Sequence, residues 1–125
     1  MKPVVIIIVS LFALIVPSLL WAGETDVVDA RARQTSQGTF AFDVTVRHAD
    51  TGWEHYADMW EIQSPDGTVL GTRVLHHPHA DEQPFTRSLS GVRIPSGVKR
   101  VTIRAHDKVH GWGGKTVTMT LSDAK

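Results

Sequence analysis

"TFAFDVTVRH" (residues 39–48) decides the fold. Phe40, Phe42, Val44 and Val46 alternate with Ala41, Asp43, Thr45 and Arg47. Successive side chains of a strand point to opposite faces, so an apolar period of two describes a strand with one face buried and one in water. His48 keeps the parity of Val46 and is expected to close the top of the core, its ring held by a hydrogen bond.

The same reading extends in both directions. "EHYADMWEIQ" (54–63) sets Tyr56, Trp60 and Ile62 against His55, Met59 and Glu61, and it runs into the turn "SPDG" (64–67). "TVLGTRVL" (68–75) returns. "PFTRSLSGV" supplies a shorter strand over 85–91, and "IPSG" (94–97) turns the chain into a strand over 99–106 that buries Val101, Ile103 and Ala105. "HGWGG" (110–114) reads as a glycine-rich turn before a last strand over 115–121, and the first strand, over 26–34, is the weakest. No stretch sustains a helical period. Seven short strands separated by turn signals predict an all-β chain, a single antiparallel sandwich spanning residues 23–125. The arrangement resembles an immunoglobulin or fibronectin type III-like sandwich, with Trp60 in the third strand, where that architecture often has an inward tryptophan. The resemblance is one of architecture and implies no function.

Residues 1–22 read differently. Lys2, the apolar run Val4–Leu20 and the small residues Ala22 and Gly23 have the layout of a secretory signal peptide, with cleavage expected after Ala22. The chain has no cysteine to carry a lipid and no disulfide to brace an exported domain, so a periplasmic or secreted protein held together by packing is expected. Without Lys2, 12 basic and 13 acidic side chains remain, a balance that favours neither nucleic acid nor an anionic membrane as partner.

Consecutive antiparallel strands place alternate connections at opposite ends of the sandwich. His48, His55, His76, His77, His79, His106 and His110 then all fall at or beside one end. Neutral imidazole is a good ligand for copper(II) and zinc(II). His76, His77 and His79 in the loop "HHPH" are candidate metal ligands, the alternative being an ordinary exposed loop. His55 and His106 join them, expected to face each other across neighbouring strands. Asp107, His110 and His48 are candidates for supporting roles around the ion. Blue-copper chemistry needs a thiolate and is excluded by the lack of cysteine.

Two other readings use the same end. Trp53 and Trp112 either close the end of the core or serve, with the loops around them, as a recognition surface for a partner protein or a carbohydrate. Seven imidazoles also make a surface that gains positive charge below neutrality. No nucleophile elbow and no pair of catalytic carboxylates stands out, so an enzyme is not expected. The reading as a whole is an exported metal-binding protein with copper or zinc as its ion, for delivery, buffering or sensing, and another periplasmic protein as a possible partner.

Overall fold

The computed structural model describes residues 23–122. The segment read as a signal peptide, residues 1–22, lies outside the described residues. Seven strands succeed one another: β1 (Asp26–Ser36), β2 (Thr39–Arg47), β3 (Ala57–Gln63), β4 (Val69–Val74), β5 (Phe85–Arg93), β6 (Arg100–Asp107) and β7 (Gly111–Thr120). They form two antiparallel sheets, ordered β1-β2-β5 and β4-β3-β6-β7. The expected all-β sandwich is the observed one.

Alternation does what the sequence predicts. From β2, Phe42, Val44 and Val46 are at most 1% exposed, and they meet Trp60, Ile62, Val101, Ile103 and Ala105 from the facing sheet. Each large apolar side chain buried this way contributes on the order of 1.5–3 kcal/mol. The turn after β3 forms as read, with the Gly67 amide donating to the Ser64 carbonyl at 2.9 Å.

Two strand limits differ from expectation, and both bear on the histidine end. β3 starts at Ala57, three residues after position 54, because residues 51–55 turn back on themselves in a small bridge between Gly52 and His55. The partner of His106 across the β3–β6 ladder is therefore Met59, and His55 lies outside that ladder. The expected facing pair of His55 and His106 does not form. β7 starts at Gly111, so "HGWGG" is mostly strand, and the turn narrows to 108–110. A register shift between Ile103 and Ala105 absorbs the extra residues. Gly114 sits there at φ +72°, pressed against the chain start: a β-carbon on it would collide with the Thr25 carbonyl oxygen. Glu24 and Asp26 fix that crossing by accepting the amides of Gly114 (2.8 Å) and Lys115 (2.7 Å).

The β2–β3, β4–β5 and β6–β7 connections share one end of the sandwich, and the described histidines belong to them or to the strand ends beside them. At that end β2, from one sheet, opens opposite β3 and β6 from the other.

Candidate metal centre

One wall of the site is the short segment between the end of β2 and the 51–55 turn. Its His48 is 2% exposed, as parity with Val46 requires. The ring's Nδ1 lies 2.5 Å from Asp50 Oδ1, and neither side chain reaches solvent. A carboxylate only accepts, so the proton of this bond belongs to Nδ1 and the neutral ring has a bare lone pair on Nε2. Asp50 is itself fixed by the amides of Ala57, at 3.1 Å to Oδ1, and His79, at 2.7 Å to Oδ2. Burial alone pushes the Asp50 carboxyl up, but the His48 ring and the His79 and Ala57 amides outweigh it and hold the group below its ordinary range. Asp50 thus stays ionised and orients the imidazole.

The second wall comes from β6. Asp107 is fully buried beside Ala57, its partner across the ladder. Its Oδ1 accepts the amides of Val109 (2.8 Å) and His110 (2.6 Å), the bonds that shape the 108–110 turn. Here too burial raises the carboxyl, while the His110 and Val109 amides and the nearby His48 and His110 rings draw it below its usual value. Its other oxygen, Oδ2, is buried without a hydrogen-bond partner among the described residues and lies 3.8 Å from His48 Nε2. An unsatisfied buried acceptor costs about 1–3 kcal/mol.

His55 joins the two walls. Its Nε2 is 3.2 Å from His48 Nε2 and 3.1 Å from Asp107 Oδ1, with 13% of the side chain exposed. With His48 Nε2 bare, the proton between these atoms sits on His55 Nε2. His110 stands at the rim: its Nδ1 is 3.3 Å from Asp107 Oδ1, its ring centroid is 5.0 Å from that of His55, and 38% of its side chain is exposed. Two imidazole nitrogens and a carboxylate, drawn from both sheets, thus converge within 4.8 Å of one another. Such a set of donors suits a borderline divalent cation.

The other candidates lie around this group. His79 is 6% exposed, stacked on Phe85 at 4.0 Å and beside the His77 ring at 4.6 Å; both its ring nitrogens are buried without a hydrogen bond among the described residues, and Nδ1 faces Asp50 Oδ2 at 4.0 Å. Its burial, with the charges of Arg87 and His77, lowers its pKa against the pull of Asp50 and Glu82. His76 and His77 are exposed on the loop. His106 turns to Asp58, Nδ1 to Oδ1 2.6 Å, and meets Trp112 edge-on at 4.9 Å. Trp112 also carries Arg104 over its face at 4.1 Å. Neither tryptophan lids the core: Trp53 is 64% exposed, edge-on to Tyr56, and Trp112 is 37% exposed. The sequence reading gives His48, Asp107 and His110 supporting roles around the ion, with His48 also closing the core, and names none of them as a ligand. The spacings that mark the centre are His48-x-Asp50 after β2 and Asp107-x-x-His110 after β6.

No family model matches the chain, and no solved structure matches it. It is similar to a protein of Halomicrobium mukohataei named "Putative lipoprotein", with 38% identity over 96 residues, which cover 77% of this chain and 47% of that protein. The chain spans about half the length of the curated relative it matches.

Proposed function

We propose that the protein binds one zinc or copper(II) ion between His48, His55 and Asp107, on an exported β-sandwich, to deliver, buffer or sense that metal. The observation that carries this reading is the meeting of His48 Nε2, His55 Nε2 and an Asp107 carboxylate at 3.1–3.8 Å, with Asp107 Oδ2 buried and without a hydrogen bond among the described residues. In the metal-free protein the His55 Nε2 proton bridges these acceptors, and a divalent cation can take its place once that proton leaves. Asp50 hydrogen-bonded to the far nitrogen of His48 is the carboxylate–imidazole arrangement that holds a ligating histidine in the right tautomer. Export is supported by the apolar segment Val4–Leu20 and by the lipoprotein name of the relative, although the 125 residues contain no cysteine to take a lipid.

The test is calorimetric titration of the purified, chelator-treated protein with Zn(II) and with Cu(II), repeated on His48→Ala and His55→Ala. Submicromolar one-to-one binding that either substitution abolishes supports the reading. Weak binding indifferent to both overturns it.

A second reading rests on Trp53. An exposed indole at the rim of the same end suits recognition of a partner protein or a carbohydrate. Trp53→Ala would then remove partner binding and leave metal binding unchanged.

A further inference from the structure

We infer that His110 is the fourth ligand of the centre, closing a tetrahedral site of three imidazoles and one carboxylate that is suited to zinc, and that its side chain swings to admit and release the ion. This rests on the metal reading above and adds to it a geometry, a preferred ion and a moving part.

The geometry is set by the spacing of the donor atoms. At the 2.0–2.1 Å bond lengths of zinc to nitrogen and oxygen, neighbouring ligand atoms of a tetrahedron lie about 3.3 Å apart. Square-planar copper(II) with similar bonds would bring neighbours to about 2.8 Å and set opposite ligands near 4 Å. The chain places His48 Nε2 and His55 Nε2 at 3.2 Å, His55 Nε2 and Asp107 Oδ1 at 3.1 Å, and Asp107 Oδ1 and His110 Nδ1 at 3.3 Å. Three successive separations lie near a tetrahedral edge, and the nearer Asp107 oxygen stands 3.8 Å from His48 Nε2, a gap that closes when the donors draw in on an ion.

His110 is the member that moves. Among the described residues the close group comprises His48, His55 and Asp107, so His110 reaches one oxygen of that group but has not closed on the rest. Its backbone is held in place by the amide bond to Asp107 Oδ1, while its ring is the most exposed of the four side chains. Rotation about the side-chain torsions of an exposed residue is fast. His48 is fixed by Asp50 and Asp107 by two turn amides, while His55, held between them, gives up its Nε2 proton to solvent or to its own Nδ1 as the ion takes its place. A rigid three-atom seat with one hinged ligand allows an ion to enter and leave without opening the sandwich.

Affinity alone does not decide the geometry, because nitrogen and oxygen sites generally hold copper(II) more tightly than zinc whatever their shape. The experiment therefore uses cobalt(II) as a spectroscopic probe alongside zinc, on the full protein and on His110→Ala. The alanine variant keeps the amide donor to Asp107, and circular dichroism checks its fold. The native protein is expected to give the intense visible d–d absorption of four-coordinate cobalt. In His110→Ala the absorption should fade to that of a five- or six-coordinate ion, with binding still one-to-one and zinc affinity lower by at least about tenfold, a loss seen even when only an outer partner of a ligand is removed. An intense band retained in His110→Ala with unchanged affinity overturns the inference and leaves the three-residue centre standing. So does native protein that binds zinc through His48 yet gives only a faint cobalt band. Native protein that takes up no ion overturns both readings.

Discussion

His48 Nδ1 and Asp50 Oδ1 meet at 2.5 Å with both side chains sealed from solvent. Asp50 also receives two backbone amides, so one carboxylate terminates three donors from three segments: the end of β2, the start of β3 and the β4–β5 loop. It fixes the loops and aims His48 Nε2 at His55.

Asp50→Asn tests that double role. An amide has one acceptor oxygen and two donors, so at least one of the buried N–H groups loses its partner and the negative charge beside His48 disappears. The variant is expected to lose roughly 2–4 kcal/mol in urea unfolding. Its zinc affinity should fall about 10–100-fold, because His48 is no longer held in the tautomer that leaves Nε2 bare. Stability and affinity that both match the native protein would show that Asp50 only caps a loop.

How far the sequence goes is visible in these same residues. Period two in "TFAFDVTVRH" and "KRVTIRAH" locates the strands and their buried faces, and strand parity alone gathers the histidines at one end. It also gives His48 an inward side chain, and His48 is buried. Parity does not say which strand ends meet across the two sheets: His48 leaves β2 of one sheet, and Asp107 leaves β6 of the other. The pairing expected for His55 and His106 fails on the register, because the 51–55 turn shortens β3. The run of His76, His77 and His79 is conspicuous because it is contiguous in sequence, whereas His48, His55, Asp107 and His110 are brought together only by the fold.

Metal should stabilise the folded chain by mass action. At a free zinc concentration of 100 Kd the gain is about 2.7 kcal/mol, which for a domain of this size raises Tm by roughly 10–20 °C. Differential scanning calorimetry with zinc, then with excess chelator, should show the shift and its reversal. His55→Ala should unfold within about 1–2 kcal/mol of the metal-free native protein, since its ring bonds are partly exposed, and it should show no zinc-dependent shift.

Acid should weaken the metal-free protein in two stages. His79 has a folded pKa below 6.5, set first by burial, so below pH 6.5 the unfolded chain takes up a proton that the folded chain refuses. Stability therefore falls as pH drops below 6.5. Asp50 and Asp107 are held below 3.8 against their own burial, so their contribution is complete above that value and is lost as pH falls through it. Urea unfolding with chelator between pH 8 and pH 3 should resolve both stages. His79→Leu, which keeps the amide bond to Asp50 and a contact with Phe85, should remove only the upper one.

Gly114 and Gly97 separate two costs of a β-carbon. Both have positive φ, +72° and +90°, where an L side chain is strained by roughly 1–2 kcal/mol. At Gly97 nothing lies within 4 Å of the added carbon, whereas at Gly114 it collides with the Thr25 carbonyl and with Asp26. Gly97→Ala should therefore lose only the conformational cost. Gly114→Ala should lose about 2–4 kcal/mol, because the chain start has to leave β7 and forfeit the carboxylate bonds of Glu24 and Asp26 to the Gly114 and Lys115 amides. Hydrogen exchange distinguishes the two mechanisms: Gly114→Ala should expose the amides of Gly114 and Lys115, while Gly97→Ala leaves them protected. Equal losses in the two variants would mean that the crossing at Gly114 yields without cost and does not brace the start of β7.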